Sequence, residues 1–143
     1  MSAARANVSC VAIGVPDNRR AVLIEGPPGS GKSSLALALI DRGAALVGDD
    51  GVTLVEREGR LWACPPPNIA GQLEIRNVGI AELPTVEAPL ALAIVLREQA
   101  PRYVAQAETV GSEGFYIPVI LLWPGSPVIA QRVEWALRLH GLT

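Results

Sequence analysis

The run Gly26-Pro27-Pro28-Gly29-Ser30-Gly31-Lys32-Ser33-Ser34 constrains this chain more than any other stretch, because it calls for a strand before it and a helix after it. Ahead of it, Ala21 to Glu25 is apolar and β-branched, as a buried strand requires. Behind it, Leu35, Leu39 and Ile40 recur at helical spacing among alanines from Ser33 to Arg42, and Gly43 supplies a stop. Gly26, Gly31, Lys32 and Ser33 satisfy the G-x-x-x-x-G-K-[ST] spacing of a phosphate-binding loop. Glycines there let several backbone N–H groups turn toward phosphate oxygens, and the following helix directs its positive end at the same place. Lys32 is the one lysine in a chain with eleven arginines. A compact ammonium fits among β- and γ-phosphate oxygens where a planar guanidinium does not. The Ser33 hydroxyl is short enough to ligate a Mg²⁺ ion bridging those phosphates. An ordinary Gly-Pro turn before a helix is the alternative, and it leaves the order of strand, loop and helix unexplained.

The rest of the chain is strand-rich. Val8 to Val15 reads as a strand joined to Ala21–Glu25 by the turn "PDNRR". "AALVGDDGVTLVEREGRLWACPPP" alternates strand-like pieces with Asp-Gly and Glu-Gly turns, which predicts a meander. Pro89 to Arg97 and Phe115 to Trp123 are further strand candidates, Ser126 to Leu139 carries a helical apolar pattern, and 68–79 is ambiguous. The expected fold is therefore α/β, a phosphate-loop domain with a mixed, strand-rich sheet and few helices. With 143 residues, half of them apolar, the chain is expected to form a single nucleotide-binding domain over residues 1–143, with 1–7 flexible.

Composition excludes several classes. A net charge of −2 without any lysine or arginine run gives no nucleic-acid footprint. No apolar run approaches the roughly 20 residues that span a membrane, and the N-terminus lacks a secretory pattern, so a cytoplasmic location is expected. Cys10 and Cys64 have no metal or redox spacing and read as buried thiols. Trp62, Trp123 and Trp135 read as core or interface anchors.

Asp49 and Asp50 follow "AALVG", at the carboxyl end of the strand after the loop's helix, where parallel-sheet sites gather. A kinase needs such carboxylates twice, as a metal partner and as a base for an attacking hydroxyl. Asp-Asp-Gly between two strands is equally ordinary hairpin chemistry, so spacing alone leaves both readings open.

The run "GPPGSGKSSLALALIDRGAALVGDDGVTL", followed by "LEIRNVGI" at Leu73 to Ile80, resembles the catalytic domain of HPr kinase/phosphorylase, in the short form without an N-terminal domain. The resemblance spans about residues 8 to 125. That family has a phosphate loop, a helix ending in Arg-Gly, an Asp-Asp strand end and a Leu-Glu-[Ile/Val]-Arg-Gly-[apolar]-Gly-Ile signature in the same order. The resemblance implies a phosphoenolpyruvate-carboxykinase-like kinase core that uses ATP and Mg²⁺ to phosphorylate a serine of the phosphocarrier HPr in the phosphotransferase system. Lys32 would hold the transferring phosphate, Ser33 and Glu74 would serve Mg²⁺, Asp50 would be the base and Asp49 its support. Arg76 and Arg102 would stabilise charge near the phosphates; read by themselves, they are solvated arginines. A homo-oligomer, commonly a hexamer, is also implied.

Three departures accompany the match. The family usually has a histidine before the strand leading into the loop, and here that place falls on Ser9 or Cys10. The signature has Asn77 where the family has glycine, which predicts a different loop shape. After "IPV" the family's phosphorolysis loop is replaced by "ILLWPGSP", so reverse activity is not expected. Two alternatives follow, a nucleotide-binding regulatory pseudo-kinase and a small-molecule phosphate-loop kinase. The second would need an arginine-bearing lid that this chain does not show.

Overall fold

In the computed structural model, which describes residues 2–143, eleven strands and two α-helices follow one another. The strands are β1 (Ser2–Ala6), β2 (Ser9–Ile13), β3 (Arg20–Glu25), β4 (Ala45–Gly48), β5 (Gly51–Arg57), β6 (Arg60–Cys64), β7 (Gln72–Ile75), β8 (Gly79–Glu82), β9 (Ala88–Leu96), β10 (Glu108–Ser112) and β11 (Phe115–Leu122). Helix α1 spans Lys32–Asp41 and helix α2 spans Ile129–His140. Nine strands form one mixed sheet in the order β1-β5-β6-β9-β3-β2-β4, with β11 also on β9 and β10 beyond it.

Strand β9 is the junction. It runs parallel to β3 along one edge, while its other edge pairs with β6 at Ala88 and Pro89 and with β11 from Ala93 to Leu96. The sheet divides there. The β1-β5-β6 wing packs across one face of β2, β3 and β9, joining Val52, Leu54, Leu61 and Ala63 to Cys10, Ala12, Ala21 and Leu23. Helices α1 and α2 cover the other face, where Leu35, Leu39, Val133 and Leu137 meet Val11, Val22, Ile24, Leu92 and Ile94.

Both faces being buried explains why these strands read as continuous apolar runs instead of alternating ones. A register shift opposite Ala21 and Val22 lets β9 change phase, so that Leu90 faces the wing while Leu92, Ile94 and Leu96 face the helices. Cys10 and Cys64 are free and buried, and burial pushes the Cys10 thiol far above its ordinary range.

Several expectations are corrected. The segment 2–6, expected to be flexible, is strand β1, antiparallel to β5 with Ser2 opposite Val55 and Ala6 opposite Gly51; Met1 lies outside the described residues. The predicted meander is broken, because β4 pairs with β2 and only β5 and β6 form a hairpin. Of the core and interface roles expected for Trp123 and Trp135, the core role is the one overturned: each is about half exposed, with Arg138 stacked 4.4 Å above the Trp135 ring. Among the described residues no helix is long and apolar enough to cross a membrane.

The ambiguous segment forms the separate hairpin β7–β8. Its turn closes with Val78 N–H donating to the Ile75 carbonyl at 3.0 Å, and Asn77 takes φ +69°. Asparagine tolerates that left-handed conformation better than most side chains, so the turn keeps the backbone hand that glycine would supply. Leu73 pins the hairpin to the helix layer, with no exposed surface. Leu73→Ala is expected to cost about 2–5 kcal/mol in urea unfolding and to speed amide exchange through the hairpin.

Candidate functional site

The topology brings four chain segments to one edge. Strand β2 is antiparallel to both β3 and β4, so the carboxyl ends of β3 and β4 and the start of β2 lie together. The phosphate loop leaves β3 there, Asp49 and Asp50 leave β4, and the β7–β8 hairpin closes over them. Because β4 and β5 belong to different parts of the sheet, the Asp-Asp-Gly turn is a crossing between wings, and the hairpin reading of it fails.

The loop is built for an anion. Gly31 takes φ +102° as the residue before α1, a conformation that a side chain would penalise. No side chain caps the helix and no acid sits in its first turn, so its leading N–H groups face the loop unblocked. Lys32 Nζ donates to the Gly26 carbonyl at 2.9 Å and to the Pro27 carbonyl at 3.2 Å, which folds the ammonium back over the loop. Pro27, Pro28 and Ser30 form the turn itself, closed by Ser30 N–H on the Pro27 carbonyl at 3.1 Å.

Asp49 is the organising acid. It is 6% exposed, and its Oδ1 accepts the Ser33 hydroxyl at 2.8 Å and the Ser9 hydroxyl at 2.7 Å. The Glu74 backbone N–H points at Oδ2 from 3.4 Å. One carboxylate thus joins β2, α1, β4 and β7. Asp50 is exposed, sits at φ +60°, in the left-handed region, and lines the clefts beside the loop.

Two adjoining clefts share Lys32, Ser33, Asp50 and Glu74. One, of about 270 Å³, is walled by Ser9, Asp49, Gln72, Ile69 and Ile80. The other, of about 280 Å³, runs along Gly29, Gly31 and Ser34 to Arg76. The first has an aliphatic wall in Ile69 and Ile80, whereas the second is lined mainly by polar groups.

Of the residues singled out in the sequence, the structure gathers Lys32, Ser33, Ser34, Asp49, Asp50, Glu74 and Arg76 around the clefts. Arg102 lies on the exposed segment after β9 and lines neither cleft. Ser9 was visible only as one of two residues at the place of a missing histidine. Strand alternation separates the two: Ser9 falls on the Val11 side, toward α1, while Cys10 points into the core under the β1-β5-β6 wing.

The set suits a magnesium nucleotide. Among the described residues no cluster of three or more histidine, cysteine or acidic side chains could cage a metal. Mg²⁺ needs no such cage, because it takes one or two protein oxygens and completes its shell with phosphate and water. Ser33, Asp49 and Glu74 offer such oxygens beside the loop.

The family model described as the HPr Serine kinase C-terminal domain matches residues 3–87, more than half of the 143. The chain belongs to that family. Among its curated relatives, HPr kinase/phosphorylase of Clostridium tetani is 46% identical over 65 residues, which is 46% of this chain and 21% of the relative. The Clostridium beijerinckii enzyme of the same name is 39% identical over 87 residues, 61% of this chain and 28% of the relative. The matched stretch therefore spans about a quarter of those relatives. The solved structure of the Hpr(Ser) kinase/phosphatase from Coxiella burnetii superposes with a TM-score of 0.80 at 28% identity, covering 95% of this chain and 88% of that one. Sequence similarity to the HPr kinase family model ends at residue 87, short of the 125 expected, while the likeness of fold continues through the remaining strands and α2.

Gly48 holds the two aspartates in place. A Cβ there would run directly onto the Gly51 carbonyl oxygen and stand 2.9 Å from Pro66 Cδ. Gly48→Ala is expected to destabilise the domain by about 1–3 kcal/mol in chemical denaturation. It should also weaken binding of Mg·ADP, measured by calorimetry, as the turn carrying Asp49 moves away from Ser33.

Proposed function

We propose that this chain is an ATP- and Mg²⁺-dependent kinase domain that transfers the γ-phosphoryl group to a seryl hydroxyl of an HPr-like phosphocarrier. The observation that carries this reading is the convergence of Lys32, the Ser33–Asp49 hydrogen bond and the exposed Asp50 carboxylate on two joined clefts. Names of the relatives support the acceptor, since they are called HPr kinase/phosphorylase.

In the proposed reaction the loop N–H groups and Lys32 hold the β- and γ-phosphates, and Arg76 faces them across the second cleft. Ser33, Asp49 and Glu74 would hold a Mg²⁺ ion, which when bound would supply neutralisation of the phosphate charge. The acceptor enters by the cleft walled with Ile69 and Ile80. Its seryl oxygen bonds to the γ-phosphorus as the bond from that phosphorus to the ADP oxygen breaks, and the hydroxyl proton passes to Asp50. Asp50 suits this task because its carboxylate is exposed, whereas Oδ1 of Asp49 already accepts two hydroxyl protons. The same reading places the protein in the cytoplasm as a homo-oligomer, with exposed Trp123 and Trp135 as surfaces for contact between copies.

A regulatory, non-transferring role is the second reading, favoured by Ser9, a group that cannot relay a proton as histidine does. A transfer assay with purified carrier and labelled ATP separates the two. Lys32→Ala should abolish labelling of the carrier. Asp50→Asn should lower kcat by about 10²–10⁴-fold while ADP affinity stays within about threefold. Full activity in Asp50→Asn would move the base elsewhere, and a wild-type domain that binds ATP without labelling the carrier would leave the regulatory role.

A further inference from the structure

The site contains a buried hydroxyl that neither the phosphate loop nor the paired aspartates account for. Ser9 is 1% exposed and belongs to β2, not to the loop, yet its Oγ lies 2.7 Å from Asp49 Oδ1. Ser33 Oγ reaches the same oxygen at 2.8 Å. An ionised carboxylate only accepts, and each hydroxyl owns a single proton, so both protons must point at Oδ1. That has a consequence for Ser33. Its proton is committed to Asp49, at the wall of the first cleft, and its lone pairs are left free for a cation beside the loop.

We propose that Ser9 is a positioning residue for the cation side of the phosphate loop, acting through Asp49 on the Ser33 hydroxyl. This rests on the reading of the site as a magnesium nucleotide site. Two donors on one oxygen, with the Glu74 N–H behind the other, leave the carboxylate no freedom to rotate. Take Ser9 away and Oδ1 keeps one partner. The carboxylate can then turn, and the Ser33 proton, no longer committed to it, opposes a cation beside the loop. The position of Ser9 suits this role, because the pairing of Cys10 with Gly48, extended by one residue, sets Ser9 opposite Asp49. A group fixed by strand register is a stiffer support than a loop side chain.

The test is ADP binding by calorimetry, with excess Mg²⁺ and with EDTA, on the whole 143-residue chain. Partners that orient a metal ligand without touching the metal typically change metal affinity by about 10–100-fold. Ser9→Ala should therefore reduce the gain in ADP affinity that Mg²⁺ confers by about tenfold or more, with the affinity in EDTA unchanged. Ser9→Thr, which keeps the hydroxyl, should retain the gain. Ser33→Ala should lose at least as much of it as Ser9→Ala. If Ser9→Ala does not fold, Ser9→Cys, of similar volume and with only a weak S–H donor, should show the same loss. An unchanged Mg²⁺ gain in Ser9→Ala or Ser9→Cys overturns the proposal, as does an equal loss with Mg²⁺ and with EDTA. A wild-type chain that binds ADP with no Mg²⁺ gain, or not at all, overturns the magnesium nucleotide reading and this inference with it.

Discussion

A buried carboxylate must be satisfied or it unfolds what surrounds it, and Asp49 imposes that demand on the edge of the sheet where the clefts open. Removing an ionised group from water costs several kcal/mol unless donors replace the lost solvent. The donors come from Ser9 on β2, Ser33 on α1 and the Glu74 backbone on β7. Each fixes the approach of its own element. The first turn of α1 cannot slide along the sheet without giving up the Ser33 bond, and the β7–β8 hairpin cannot lift without exposing Leu73 and releasing Oδ2. The polar site and the apolar layer beneath it therefore hold the same geometry.

This explains where sequence similarity stops and the likeness of fold does not. Up to residue 87 the chain carries the loop, the Asp-Asp turn and the hairpin, in which particular atoms have particular partners. Beyond it lie β9, β11 and α2, whose task is to fill space on both faces of a sheet. Buried strands and helix faces of that kind accept many apolar substitutions as long as volume and pattern are kept. The chain beyond residue 87 can then drift in sequence while 95% of the chain still superposes with the Coxiella burnetii kinase/phosphatase.

The same contrast sets what could be read from residues alone. The loop, α1 and the strands β2, β3, β9 and β11 were legible to within a few residues, because apolar runs and glycine punctuation are local signals. Strand β1, "SAARA", was not, since small residues have little intrinsic preference for a strand and become one here only by pairing with β5. The destination of β4 was hidden for a related reason. An Asp-Asp-Gly turn looks the same whether the next strand pairs with the last one or crosses to another wing, and only the neighbours of β2 decide it. Ser9 had a place but no function, because its meaning depends on Asp49, just past the end of β4 and 40 positions away in the chain. The signal that could have found it is alternation: Ser9 shares a face with Val11, and that face looks toward α1.

Two adjacent acids with unlike surroundings also divide the work of the proposed reaction. Adjacent residues on extended chain point to opposite sides, and had β4 continued, Asp50 would have faced away from Asp49 and from the loop. The left-handed backbone at Asp50 breaks the extended run, and Asp50 lines the same clefts as Ser33 and Glu74. Such a conformation is disfavoured for a side chain and persists where the surroundings dictate it. Here the glycines on either side do so: Gly48 lets the chain pass against the Gly51 carbonyl, and Gly51 begins the crossing to the β1-β5-β6 wing. Asp49 is held by donors and suited to orient, whereas Asp50 is open to solvent and suited to exchange a proton. A single turn thereby presents one fixed and one available carboxylate to the same phosphate loop, and that pairing, more than the loop alone, separates a site for transfer from a site for binding.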